Sequence, residues 1–153
     1  MLTTSFRLSE LTRSSALELY NKEHDTVLRN VPDSQALKNL KYLCENYLQP
    51  LRDEWGPIVI NSGYRSSFVN DLVGGAETSY HRLGLAVDIK CNSWLEGFMF
   101  CAFFYRRFLS VGLGYNELFL SYRRSNKSIW VHLAVPQKGL TNFARMKCSF
   151  ITY

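Results

Sequence analysis

A chain of 153 residues, 46% hydrophobic and 20% charged, has the length and composition of one globular domain over 1–153, able to bury a core without disulfide staples. No stretch approaches the roughly 18 apolar residues of a membrane span, and Met1 to Glu10 lack the charged region and apolar run of a signal peptide. The net charge of +5 attracts polyanions, nucleic acid or anionic wall polymers, but no nucleic-acid-binding motif accompanies the basic residues. These are scattered apart from Arg106–Arg107, Arg123–Arg124 and the tail from Lys138 to Lys147.

In chain order, a first helix is predicted from about Ser9 to Tyr20. The clearest helix follows a loop with Asn30 and Pro32 and runs from Ser34 to about Trp55, with Leu37, Leu40, Cys44, Tyr47, Leu48, Leu51 and Trp55 on one face. Asp33 or Ser34 can cap it, and Pro50 should kink or split it near its end. Ile58-Val59-Ile60 reads as a short buried strand, Asn61 to Ser66 as a polar loop, and Phe68 to Val73 as a short helix ended by Gly74-Gly75. Leu85 to Ile89 is a second strand with Ala86 and Asp88 on one face. The apolar run Trp94 to Phe108 is a buried helix ended by Gly112 and Gly114. Glu117 to Tyr122 and Ile129 to Val135 are strands of a hairpin. The class is α+β: a small, mainly antiparallel sheet with two to four helices packed around it.

The four cysteines, Cys44, Cys91, Cys101 and Cys148, show no C-x-x-C spacing and read as buried reduced thiols. Of the three histidines, His24 lies in a charged loop and reads as a surface residue. His81 lies in a loop just before the strand carboxylate Asp88, with Gly84 allowing the turn between them. His132 lies in the apolar strand Ile129-Trp130-Val131-His132-Leu133, where an unpaired imidazole is costly. Two nitrogen ligands and one oxygen, with a fourth position left to water, suit a catalytic zinc; a core histidine hydrogen-bonded to Asp88 fits the same residues.

Several motifs narrow the choice. Ser62-Gly63-Tyr64-Arg65-Ser66, Val69-Asn70, Val73-Gly74-Gly75, Ser79-x-His81-x-x-Gly84-x-Ala86-x-Asp88 and Trp130-x-His132, in that order, resemble the signature of the zinc D-Ala-D-Ala carboxypeptidase family, whose relatives include phage endolysins. Phe6-x-Leu8-Ser9-Glu10-Leu11-Thr12-Arg13-Ser14 is similar to the opening of its small phage- or prophage-type members, and the resemblance covers about residues 6 to 135. It implies one zinc ion per chain, held at the sheet by His81, Asp88 and His132. It also implies that Arg65 binds the substrate carboxylate or polarises the scissile carbonyl, a role suited to a guanidinium fork. Ser79 would brace the histidine loop. The implied activity is hydrolysis of peptidoglycan peptide stems next to a D-amino acid, by a monomer that acts on the bacterial wall and neither binds nucleic acid nor inserts into membrane. The alternative is a peptidoglycan-binding module that keeps the zinc site with weak or no catalysis.

One position departs from the family. Members place a Glu or His near the last zinc histidine as general base; two and three residues before His132 stand Trp130 and Ile129, and neither can serve. In the small phage-type members the corresponding acid ends the preceding strand, where this chain has Ser121. Glu117 is the only carboxylate of that strand, but four residues from Ser121 is about 13 Å along a strand, so it is not assigned as the base.

Overall fold

The structure, a computed structural model, describes residues 1–138 and 150–152. Six α-helices, α1 (Leu8–Thr12), α2 (Ser15–His24), α3 (Ser34–Leu43), α4 (Gln49–Trp55), α5 (Ser67–Leu72) and α6 (Trp94–Val111), surround a sheet of five strands. These are β1 (Ile60–Ser62), β2 (Ala86–Cys91), β3 (Glu117–Arg123), β4 (Ser128–Ala134) and β5 (Phe150–Thr152), in the order β1-β2-β4-β3-β5. The first four are antiparallel, and β5 adds a parallel edge beside β3. The α+β class and mainly antiparallel sheet are those expected from the sequence. No helix among the described residues is long and apolar enough to cross a membrane. Beyond Lys138, the basic tail and Cys148 lie outside the described residues.

The four expected helices become six for local reasons. The first divides at Arg13, whose backbone is extended, and Ser14 then caps α2 by accepting from Leu17 N. Asp33 caps α3 through Ala36 N at 2.7 Å. The long helix is interrupted by a π-turn, Cys44–Leu48, before α4. Pro50 has no N–H for the Asn46 carbonyl, and the wider turn makes room for its ring. That carbonyl instead accepts from Arg107 Nη2 on α6 at 3.3 Å. The buried stripe enters through Ala36, not Leu37, which is 40% exposed, and continues through Leu40, Leu43, Cys44, Tyr47, Leu48 and Leu51. The expected strand over residues 58–60 starts later, at Ile60, because Val59 faces solvent and Ile58 is already part of the core.

Strand alternation separates two faces. Val87, Ile89, Leu118, Leu120, Val131 and Leu133 are buried on one, together with Phe100, Phe103 and Phe104 of α6. Trp55 packs edge-on against Phe100 and Phe103. The opposite face carries Asp88, His132, Phe119, Ser121 and Trp130. In register, Asp88 faces His132, Phe119 faces His132, and Ser121 faces Trp130.

Between α5 and β2 a 3-10 turn, Tyr80–Leu83, lifts His81 onto this second face. Gly84 ends it at φ +68, and a Cβ there would meet the Ala36 carbonyl of α3 at 2.6 Å. Gly112, which ends α6 at φ +69, has open space around it. Gly112→Ala is therefore expected to cost about 1–2 kcal/mol for left-handed backbone alone. Gly84→Ala should cost clearly more, because α3 must also retreat. Urea-unfolding midpoints compare the two; equal losses would mean that the contact with α3 is soft.

Candidate metal centre

His81 and Asp88 reach the same point from different elements, and His132 joins them across the sheet. His81 Nε2 lies 3.4 Å from Asp88 Oδ2, and His132 Nδ1 lies 2.8 Å from Asp88 Oδ1. One ligand atom from each of the three falls within 4.8 Å of the others. Their burial is high: His81 is 3% exposed and Asp88 9%.

The far nitrogens decide whether this cluster suits a metal. His81 Nδ1 lies 2.6 Å from the Gly63 carbonyl. A carbonyl only accepts, so Nδ1 carries a proton and Nε2 is the nitrogen turned to Asp88. His132 Nε2 lies 3.0 Å from Glu117 Oε2, so it donates outward and leaves Nδ1 for the centre. Both rings are thus braced by an outer acceptor with the inner nitrogen turned to a shared carboxylate, the arrangement that metal-ligating histidines adopt. Two imidazoles and a carboxylate form a donor set suited to zinc.

The loops that hold this cluster are tightly tied. Gly63 passes so close to α1 that a Cβ would meet the Leu11 carbonyl at 2.4 Å, and Tyr64 N donates to that carbonyl at 2.6 Å. Arg65 N donates to the His81 carbonyl at 3.1 Å. Buried Asn30 clips the same loop, donating to the Thr12 and Tyr64 carbonyls and accepting from Ser66 N. Ser79 Oγ accepts from His81 N at 3.4 Å. Asn70 donates to the Gly75 and Ala76 carbonyls and fixes the glycine turn.

Arg65 reaches the cluster as well. Its Nη2 donates to Asp88 Oδ2 at 3.0 Å, and its Nε donates to Ser62 Oγ at 2.8 Å. Burial acts to lower the pKa of Arg65, and the Asp88 charge opposes this. Burial also acts to raise the pKa of Asp88, but the charges and hydrogen bonds of His81 and His132 outweigh it and hold the carboxyl well below the usual range. For His132, burial opposes the charged form, yet hydrogen bonds to Asp88 and Glu117 push its pKa up to about 9.

A cavity of about 580 Å³ opens onto the cluster, lined by Arg65, His81, Asp88 and His132, by the turn Val73 to Ala76 with Ser79, and by Phe119, Ser121, Arg123 and Trp130. Phe119 stacks on His132 with ring centroids 5.7 Å apart. Arg123 lies over the Trp130 ring at 5.5 Å. The four residues singled out by sequence therefore meet in one cavity. His24 does not join them; it is exposed and stacks on Tyr20. Cys44, Cys91 and Cys101 are buried and do not join the cluster, and burial pushes Cys44 and Cys91 up to about 12.

Glu117, not assigned as the base from the sequence, stays outside the cavity lining and hydrogen-bonds His132 instead. The register places Phe119 opposite His132, so positions 117 and 121 both flank that pair diagonally. Strand register, read from the hairpin, is the signal that would have found it.

A family model described as Peptidase M15 matches residues 6–106. The chain belongs to the peptidase M15 family, whose members are zinc-dependent metallopeptidases. No curated protein matches the chain. The matched segment holds Arg65, His81 and Asp88, whereas His132, Glu117 and Ser121 lie beyond it.

Purified protein is expected to bind about one zinc per chain, on the three-ligand logic of such sites. His81→Ala or His132→Ala should each remove most of it, and His24→Ala should not, as read by metal analysis after dialysis; full occupancy after losing both His81 and His132 would refute the assignment. Zinc must also displace the His132 proton. Because that pKa is raised to about 9, affinity should climb as pH rises from 6 to 8, by about tenfold per unit for one displaced proton. Calorimetry in buffers of different ionisation enthalpy measures the proton released.

Proposed function

We propose that this protein is a zinc-dependent peptidase that cleaves the peptide stems of bacterial peptidoglycan next to a D-amino acid, in the manner of D-Ala-D-Ala carboxypeptidases and endolysins. The observation that carries this reading is the opening of the His81–Asp88–His132 cluster into the same cavity as Arg65. Zinc held by these three residues would supply Lewis-acid chemistry for amide hydrolysis. Arg65, braced by Ser62, is preorganised to hold a substrate carboxylate or the scissile carbonyl. Phe119 and Trp130 wall the cavity, and Arg123 adds positive charge where an anionic stem would enter. In this reading the protein works as a monomer on the bacterial wall, as a phage or prophage lysis or entry factor, and takes neither nucleic acid nor membrane as partner.

A specific observation favours a second reading, a peptidoglycan-binding module with little turnover. Among the described residues lining the cavity, no carboxylate or imidazole is present besides the three ligands. Digesting purified peptidoglycan with zinc-loaded protein and weighing the fragments separates the two: released D-Ala or stem peptides support the peptidase, and retention without cleavage supports the module.

Arg65→Lys is expected to leave zinc content unchanged and to weaken cleavage or peptidoglycan binding sharply, because an ammonium lacks the bidentate fork. Wild-type behaviour of both Arg65→Lys and Arg65→Ala on peptidoglycan would make Arg65 structural. Ser121 lines the cavity beside Trp130, so an acid there would face the same space as the ligands. The natural protein is expected to turn over below the roughly 1–10³ per second of ordinary enzymes. Ser121→Glu should raise that rate; a placed proton acceptor typically contributes about 10²–10⁴-fold, so even imperfect placement is measurable. A folded, zinc-loaded Ser121→Glu protein with no gain would put the missing base elsewhere.

A further inference from the structure

We propose that Glu117 is a positioning residue of the metal centre: its carboxylate accepts a hydrogen bond from Nε2–H of His132 and so keeps Nδ1 of that ring turned inward as the zinc donor. This rests on His132 being a ligand, as read above. Three contacts define the ring. Glu117 Oε2 lies 3.0 Å from Nε2, Asp88 Oδ1 lies 2.8 Å from Nδ1, and Phe119 stacks nearly parallel at 14°. The stack fixes the ring plane but allows a half-turn about Cβ–Cγ. That flip would present carbon to both carboxylates and forfeit both hydrogen bonds, so the two acceptors at opposite ends select one orientation.

The backbone makes this reach possible. Glu117 stands opposite Ala134, the smallest side chain that could face it on β4, and Ala134 is fully buried. The glutamate therefore lies diagonally across that methyl toward His132, a neighbour within the span of a long side chain. It does not line the cavity, unlike Phe119 and Ser121 on the same face. Its position behind the ring suits it to orient His132, with no contact to a molecule in the cleft.

The test is zinc affinity, measured by chelator competition, with ¹⁵N NMR of the histidine rings in the zinc-loaded full chain. Glu117→Ala should bind zinc about 10–100-fold more weakly, while Glu117→Gln, whose amide oxygen still accepts from Nε2–H, should recover most of that loss. The wild-type spectrum should show His132 protonated at Nε2. Wild-type affinity in Glu117→Ala, or a glutamine variant no better than alanine, overturns the proposal. So does a wild-type His132 protonated at Nδ1, a readout that holds even if the alanine variant fails to fold. Absence of zinc uptake by the wild type would remove the ligand reading itself, an outcome distinct from all of these.

Discussion

Asp88 sits inside a central strand, where a lone carboxylate would be strongly destabilising, and its compensation organises the elements around it. Arg65 comes from the loop after β1, His81 from the 3-10 turn and His132 from the neighbouring strand, and each directs a nitrogen at one of its two oxygens. None of these partners is close to Asp88 by helical or turn periodicity alone. They meet there because β2 is flanked by β1 and β4, so that Ser62 and His132 both stand opposite Asp88. A buried anion surrounded by three nitrogen-bearing side chains is stable only as a complete set, since removing one partner leaves charge uncompensated.

The same geometry accounts for the unequal roles of the two histidines. His81 is oriented by a backbone carbonyl, which has no charge to lose, and the position of that carbonyl is set by the close approach of Gly63 to Leu11. His132 is oriented by a side-chain carboxylate on a different strand. The first brace is built into the fold. The second depends on a residue that can be replaced without touching the backbone.

Much of this was legible in the sequence where a residue type and a local rule coincide. The alternation that put Ala86 and Asp88 on one face, the left-handed Gly84, the cap at Asp33 and the hairpin joining β3 to β4 all follow from chemistry within a few residues. What the sequence hid was non-local. The π-turn before Pro50 depends on Arg107, distant in sequence, taking an orphaned carbonyl. The burial of Ala36 in place of Leu37 depends on how α3 meets Gly84. The contact of Glu117 with His132 was hidden because it runs across the sheet and not along the strand. The parallel edge β5 carries no local signal, since its partner strand lies well upstream.

The short loop from Gly63 to Ser66 has a thermodynamic consequence. One end of it is hydrogen-bonded to helix α1 through Tyr64 N and Leu11 O, and the other to the histidine turn through Arg65 N and His81 O. Any ligand that steadies His81 must therefore also lower the free energy of the state in which the amino-terminal helix is docked. By reciprocity, loosening that helix must weaken the ligand by the same factor. Amide protons at residues 64 and 65, which make these two bonds, become reporters of occupancy: their exchange with deuterium slows as the centre fills.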